Sequence, residues 1–184
     1  MSDTDLALDD PFDLLAQIES RVRSARLDAT AGQAQVWVGL GFRLGDLWLA
    51  TPKDDVREVI TLPSLTRVPG AKPWLLGLAN VRGNLLPVCD LRVLMNQSHP
   101  AVATRNTRVL VYNSLRVPAG FLVDEVVGYR QFAASEQQRE LLSGVEPALR
   151  DCALGAFQRD AQTWVALSLH KVVASDAFQQ AGAA

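Results

Sequence analysis

Short apolar runs broken by turn-forming residues are the feature that most limits how this chain can fold. In the first run Val36, Val38, Leu40 and Phe42 occupy alternate positions, which is the period of a strand with one buried face. Gly45 and the residue after it predict a tight turn. Further runs predict strands at residues 47–50, 56–62, 75–81, 85–90, 107–113, 117–123, 125–132, 153–158 and 163–167.

These strands fall into two groups of about five, joined by a polar stretch at residues 96–106. Short antiparallel strands at regular spacing are typical of sandwiches and small barrels, because closure removes exposed sheet edges. The sequence therefore predicts a mainly β fold with lobes at about 36–95 and 106–167. Ser168 begins a predicted terminal helix over 168–178, and a frayed tail follows at 179–184.

The N-terminal region, residues 1–35, has a different pattern. Its first ten residues are polar and acidic, and Pro11 then opens a predicted amphipathic helix that runs to about residue 28. Phe12, Leu15, Ile18 and Val22 lie on one face of this helix. The helix is expected to dock on its own domain, and the alternative is that it is reserved for a partner.

Composition and charge exclude several functions. The formal net charge of −2 and pI of about 5.7 argue against a nucleic-acid surface, which requires a basic stripe. The first ten residues lack the features of a signal peptide, and no apolar run approaches the roughly 20 residues of a membrane helix. Cys89 and Cys152 belong to no Cys-x-x-Cys pair and predict two buried thiols in a reducing cytoplasm.

No catalytic motif emerges from the residues. His99 and His170 have no cysteine or acidic partner at metal-ligand spacing, and there is no Gly-x-Ser-x-Gly elbow. Asp124 and Glu125 are neighbours on a predicted strand, so they are expected to face opposite ways and to be solvated at an edge or turn. The sequence thus predicts an interaction module with no enzyme activity, cofactor or metal.

A series of short motifs in a fixed order makes the prediction of function more specific. Residues 55–60 form a strand with valine and glutamate, and a Val-Pro-Gly turn follows at 68–70. Next come Gly77-x-x-Asn80-x-Arg82-Gly83, a proline-containing strand at 85–90 and Asp-Leu-Arg at 90–92. Gly120-x-x-Val-Asp lies in the second half. Over about residues 36–178 this order resembles the CheW-like family of chemotaxis adaptors.

The resemblance implies two five-stranded SH3-like barrels and no chemistry. It implies a cytoplasmic adaptor, held at the membrane only through receptor arrays, that couples methyl-accepting chemoreceptors to a CheA-type histidine kinase. A narrower similarity, at residues 11–15, 39–43, 47–52 and 69–74, is to members that serve type IV pilus twitching motility. The alternatives are an adaptor for flagellar chemotaxis or another output, a small-barrel enzyme, and a structural oligomerisation module.

The resemblance assigns a receptor-binding role first to Arg82, with Asn80 and Gly83, at a hairpin that projects a long cation from a rigid turn. The alternatives for Arg82 are a solvated tip or an arginine that braces Asn80. Phe121 and Val123 are expected to line a receptor groove between the lobes, the alternative being ordinary core.

The matching kinase-binding positions are Val56, Glu58, Val59 and Ile60. By strand parity Val56 and Glu58 are expected on one face, an acid beside an apolar residue, and the alternative is a plain amphipathic strand. Among the tryptophans, Trp74 is expected to be the most exposed, because it lies in a proline-rich loop.

Overall fold

A computed structural model describes residues 36–96 and 101–180. The predicted N-terminal tail and helix at 1–35, His99, and residues 181–184 lie outside the described residues. The strands are β1 (Val36–Leu44), β2 (Leu47–Pro52), β3 (Val56–Thr61), β4 (Leu75–Val81), β5 (Asn84–Asp90), β6 (Arg108–Tyr112), β7 (Gly120–Val123), β8 (Glu125–Ala133), β9 (Ala153–Arg159) and β10 (Gln162–Leu167). The helices are α1 (Leu91–Leu94), α2 (Pro147–Asp151), α3 (Leu169–Ala174) and α4 (Asp176–Gln179), with 3₁₀ turns at Lys53–Asp55, Ala134–Glu136 and Arg139–Gly144.

The strands form two five-stranded sheets. In the first sheet the order is β8-β1-β2-β10-β9, and in the second it is β3-β6-β7-β5-β4. Neighbouring strands are antiparallel except for two pairs, β2 with β10 and β7 with β5, which are parallel. The two sheets therefore have the same spatial order of strands, with β1 and β2 corresponding to β6 and β7, and β8 to β10 corresponding to β3 to β5. The two segments follow one another in opposite order along the chain.

Each half of the chain supplies strands to both sheets. Strands β1 and β2 belong to the first sheet, and β3 to β5 belong to the second. In the second half, β6 and β7 belong to the second sheet, and β8 to β10 belong to the first. The prediction of two five-stranded groups is confirmed, but lobes at 36–95 and 106–167 do not correspond to the sheets. The predicted lobes differ from the observed sheets because the chain crosses between sheets after β2 and again after β7.

Each sheet curls so that the chain leaving one edge strand reaches the other edge. Thr66, beyond the end of β3, exchanges two backbone hydrogen bonds of 2.8 Å with Leu78 in β4. Gln137, beyond the end of β8, forms the equivalent bridge with Phe157 in β9. These bridges pair part of the edge that a flat five-stranded sheet would leave exposed.

Three apolar clusters hold the described residues together. One lies inside the first sheet around Phe132, Phe157 and Trp164, and one lies inside the second around Val88 and Val109. The third is shared, because it combines residues of both sheets with residues of α1 and α3. The shared cluster includes Leu40, Phe42, Leu44, Leu49, Cys89, Leu91, Leu110, Phe121, Val123, Val165, Leu167 and Val172.

The C-terminal segment forms two short helices instead of the single helix predicted over 168–178. Ser168 caps α3, as predicted, by accepting a hydrogen bond from the backbone N–H of Lys171 at 3.3 Å. Ser175 then takes an extended backbone conformation, with φ −71° and ψ 146°, and caps α4. The extended residue ends one helix and redirects the chain, which brings Phe178 against the shared cluster.

Trp74 is buried, which corrects the expectation that it is the exposed tryptophan. Its ring stacks on Phe178 with centroids 5.5 Å apart, and both rings pack on the shared cluster. The loop that carries Trp74 is anchored by a 2.7 Å hydrogen bond from the N–H of Asp90 to the Trp74 carbonyl. Among the described residues, none of the helices is both long enough and apolar enough to cross a membrane.

Candidate interaction site

The β4–β5 hairpin ends in a two-residue turn made by Arg82 and Gly83. Both residues have positive φ, 53° and 84°, as in the type I′ turns that match the twist of paired strands. The side-chain oxygen of Asn80 accepts a hydrogen bond of 2.9 Å from the N–H of Gly83. Asn80 therefore braces the turn through Gly83, and Arg82 is left to project from the tip.

Arg82 reaches from the hairpin tip to Glu58 in β3. Its Nη2 atom lies 2.9 Å from Oε2 of Glu58, although the Arg82 side chain remains 78% exposed. Strands β3 and β4 are the two edges of the second sheet, so the contact spans the opening between those edges. The sequence assigned these two residues to different partners, and the structure brings them together at one place.

A β-bulge in β3 separates residues that parity placed on one face. Val56 pairs with Tyr112, and Glu58 pairs with Val111, so one extra residue intervenes. Because directly opposite residues share a face, Val56 packs on the shared cluster and Glu58 faces the inside of the second sheet. The expectation that Val56 and Glu58 share a face is therefore wrong.

The other two predicted kinase-binding residues in β3, Val59 and Ile60, also lie on opposite faces of the strand. Ile60 packs on the cluster inside the second sheet. Val59 lies on the opposite face and is 38% exposed. Of the four predicted kinase-binding residues, only Val59 offers a substantial apolar surface to a partner.

Phe121 and Val123 lie in the shared cluster, and neither has measurable exposure. Both are in β7, a central strand of the second sheet, with the first sheet and the helices packed over their side chains. The prediction that they line an open receptor groove is corrected, because the two sheets close over them.

Asp124, expected to be solvated, is buried at the crossover from β7 to β8. Its Oδ2 atom accepts hydrogen bonds from the N–H of Gly45, at 2.6 Å, and from Nη2 of Arg92 in α1. Arg43 lies beside this carboxylate and also donates to Glu125, which raises the pKa of Arg43. The two acidic neighbours thus converge on Arg43 and do not face opposite ways.

Asp55 holds the equivalent place at the other crossover, directly before β3. It is almost fully buried, and its Oδ2 atom accepts hydrogen bonds from the N–H groups of Leu169, at 3.0 Å, and His170, at 3.5 Å. These donors belong to the first turn of α3, whose N–H groups have no partner within the helix. Asp55, between β2 and β3, thus contacts α3, which follows β10. Asp124, between β7 and β8, contacts α1, which follows β5. Asp55, Arg92 and Asp124 all lie in motifs of the family resemblance, but those motifs did not predict these contacts.

The two cysteines are free and buried, as predicted. Burial raises the pKa of Cys89 to about 12 and that of Cys152 to about 11, so both thiols stay protonated at neutral pH. Within residues 36–96 and 101–180 no cluster of three His, Cys, Asp or Glu side chains could hold a metal ion.

The described fold and the order of its motifs match a known family. The model of the CheW-like domain matches residues 38–177. The chain belongs to the CheW-like family. Members of this family are scaffolds in chemosensory signalling, and the Arg82 hairpin and β3 both lie inside the matched region.

Curated relatives support the same assignment. Protein PilI of Pseudomonas aeruginosa is 38% identical over 170 residues, which are 91% of this chain and 94% of PilI. Protein FrzA of Myxococcus xanthus is 33% identical over 95 residues, 52% of this chain and 59% of FrzA. Chemotaxis protein CheW of Thermotoga maritima is 26% identical over 134 residues, 73% of this chain and 85% of that protein.

A solved structure supports the fold. The scaffolding protein TtCheW from Thermoanaerobacter tengcongensis superposes with a TM-score of 0.65 at 19% identity. The match covers 78% of this chain and 96% of TtCheW. A CheW-like arrangement of two five-stranded sheets is therefore retained where most residues differ.

Proposed function

We propose that this CheW-like protein is a cytoplasmic, non-catalytic adaptor that couples methyl-accepting chemoreceptors to the regulatory domain of a CheA-type histidine kinase. The observation that carries the proposal is the ion pair between Arg82 and Glu58, within a region that matches the CheW-like domain. It joins the residue assigned to the receptor with a residue assigned to the kinase. Association with the membrane occurs only through the receptor array.

The output of the system is twitching motility driven by type IV pili. Support comes from the similarity to PilI, which extends over 91% of this chain and so must take in part of residues 1–35. The alternative output is flagellar chemotaxis, and a direct comparison separates the two. The chain is expected to bind the regulatory domain of a pilus-system kinase more tightly than that of a flagellar kinase from the same cell.

The two curled sheets are interpreted as small SH3-like barrels with their outer surfaces available to partners. Closure is supported by the bridges at Thr66 and Gln137, which join opposite edges of each sheet. In the second barrel, the hairpin tip with Asn80, Arg82 and Gly83 offers a cation to a carboxylate on the receptor tip. Val59 supplies the apolar contact for the kinase, whereas Val56 and Ile60 support its strand from within.

The ion pair gives the adaptor a means of linking its two partners. Arg82 is exposed and its pair with Glu58 is worth only about 0.2–1 kcal/mol, so a receptor carboxylate can compete for it. Withdrawal of Arg82 changes the charge environment of Glu58 in β3, next to Val59. A change in the receptor can thereby bias the kinase equilibrium, and weak contacts add up across an array.

Binding measurements on the purified full chain test the proposal. With a receptor cytoplasmic fragment, Arg82→Glu is expected to weaken binding about tenfold or more, equivalent to about 1.4 kcal/mol. Val59→Lys is expected to weaken binding of the kinase regulatory domain by a similar factor and to leave receptor binding unchanged. Arg105→Glu, at an exposed loop position, makes the same charge change as Arg82→Glu and is the matched control.

The double variant Glu58→Arg with Arg82→Glu distinguishes direct contact from internal bracing. It restores an ion pair of opposite polarity, so receptor binding stays weak if Arg82 contacts the receptor. Full recovery of receptor binding would mean that the pair acts only within the chain, and the role of Arg82 would be lost. A correctly folded wild-type chain that binds neither receptor nor kinase would refute the adaptor function itself.

A further inference from the structure

An exposed apolar strip continues from the shared cluster to the N-terminal end of β1. In the register of β1 with β8, Val36 lies opposite Ala133, Val38 opposite Gln131 and Leu40 opposite Tyr129. Alternate residues of a strand, and residues directly opposite on its neighbour, lie on the same face. Val36, Val38, Leu40 and Tyr129 therefore share one face of the first sheet.

Exposure rises steeply along this face. Leu40 is 5% exposed within the shared cluster, whereas Val38 is 37%, Val36 49% and Tyr129 62% exposed. These last three are among eight large apolar side chains that are strongly exposed in the described part of the chain. The strip of Val36, Val38 and Tyr129 is thus an uncovered extension of a buried surface.

The chain itself provides an occupant. Residues 1–35 lead directly into Val36, and residues 11–28 carry apolar side chains at helical spacing. From Phe12 to Val22 such a helix spans about 15 Å, similar to the roughly 13 Å of β1 between Val36 and Leu40. The intervening residues 29–35 reach at most about 25 Å when extended, which is enough to turn the chain back along β1.

We propose that residues 11–28 form a helix that folds back and packs Phe12, Leu15, Ile18 and Val22 on the strip of Val36, Val38 and Tyr129. The small size of the strip favours this occupant over a second copy. Stable association between separate molecules buries about 1,200–2,000 Å², far more than three side chains provide. A tether of seven residues gives an effective concentration in the millimolar range, at which a small contact suffices.

Hydrogen exchange on the full chain gives the first test. Charge on the strip disfavours an apolar helix face, so Val38→Lys is expected to speed amide exchange across residues 11–28 by tenfold or more. Leu115→Lys, in the fully exposed β6–β7 loop, is the control and should leave this exchange unchanged. Equal exchange in wild type and Val38→Lys would overturn the proposal. Unchanged protection of β4 and β5 would show that each variant is folded.

Crosslinking gives the second test and identifies the occupant. The native thiols of Cys89 and Cys152 are buried with raised pKa values, so a short bis-maleimide at neutral pH reacts at introduced cysteines. Ile18→Cys with Val38→Cys is expected to crosslink within a monomer. Ser20→Cys, on the opposite helix face, is expected to do so at least fivefold less when paired with Val38→Cys.

The crosslinked species decide between occupants. Crosslinked dimers would assign the strip to a second copy and would refute docking within the chain. Equal monomer crosslinking from positions 18 and 20 would show that no defined helix face contacts the strip, which also refutes it. None of these results depends on receptor or kinase, so they leave the adaptor function to its own test.

Discussion

The first sheet encloses aromatic rings, whereas the second sheet, with the same spatial order of strands, encloses aliphatic side chains. Inside the first sheet the rings of Phe132 and Phe157 stack with centroids 4.6 Å apart, and Trp37 stacks on Phe157 at 5.3 Å. The second interior is built from Ala79, Leu86, Val88, Val109, Val111 and Leu122. One strand order thus accommodates two very different fillings.

Small residues make room for the rings in the first sheet. A Cβ atom added to Gly39 would lie 2.6 Å from the Trp37 ring, and one added to Gly41 would lie 3.1 Å from the Trp164 ring. Ala50 and Ala166 complete this interior. What the two sheets share is therefore the alternation of inward and outward positions, and in the first sheet large rings are paired with small residues.

The largest expected effect on stability comes from removing a large side chain from the interior of either sheet. Phe132→Ala is expected to lower the free energy of unfolding by about 4 kcal/mol and Leu122→Ala by about 3 kcal/mol, since each leaves a cavity in a buried cluster. Because each half of the chain is divided between the sheets, both variants should lose both sheets together. Urea unfolding followed by circular dichroism should show one transition with an unchanged m-value. Two separated transitions would break the comparison by showing independent sheets.

The two crossover aspartates come next in size. Asp124→Ala is expected to cost about 3 kcal/mol, because it leaves the guanidinium of Arg92 without its buried partner. Asp55→Ala is expected to cost about 2 kcal/mol, through loss of hydrogen bonds to the first turn of α3. Thermal unfolding compares the two variants directly. Equal costs would show that the charged pair at Asp124 adds nothing beyond the hydrogen bonds.

Local strand structure could be predicted from the sequence because it depends on neighbouring residues. The alternation at Val36 to Phe42, the turn at Gly45, and the positive φ of Gly83 all follow from side-chain period and turn chemistry. The family was predicted from the resemblance of the ordered motifs. Sheet membership could not be predicted, since period-two patterns say which face is buried and do not say against which partner.

Polar contacts between residues far apart in the chain also could not be predicted from the sequence. Asp124 pairs with Arg92, 32 positions away, and Asp55 contacts residues more than 110 positions away. The bulge that separates Val56 from Glu58 leaves no turn residue as a signal, so parity failed at the candidate kinase face. Arg82 and Glu58 were each predicted as site residues from the family resemblance, whereas their pairing depends on the curl of the second sheet and could not be predicted.

The smallest expected effect compares a close-packed glycine in each sheet. Gly39→Ala is expected to cost about 2 kcal/mol, because the new methyl group meets the Trp37 ring, held in a stack, and the Thr51 carbonyl at 3.0 Å. Gly120→Ala should cost about 1 kcal/mol, since its three nearest atoms all belong to the Val109 and Leu86 side chains and none to the backbone. Urea unfolding of both variants measures the difference.

Gly144→Ala is the control for these glycine variants, because nothing lies within 4 Å of its added Cβ atom, and its effect should stay within about 0.5 kcal/mol. A cost for Gly120→Ala as large as that for Gly39→Ala would mean that the aliphatic interior is as rigid as the aromatic one. The difference in filling would then have no consequence for how each sheet tolerates added volume. A larger cost at Gly39 would instead tie the rigidity of the first sheet to its stacked rings.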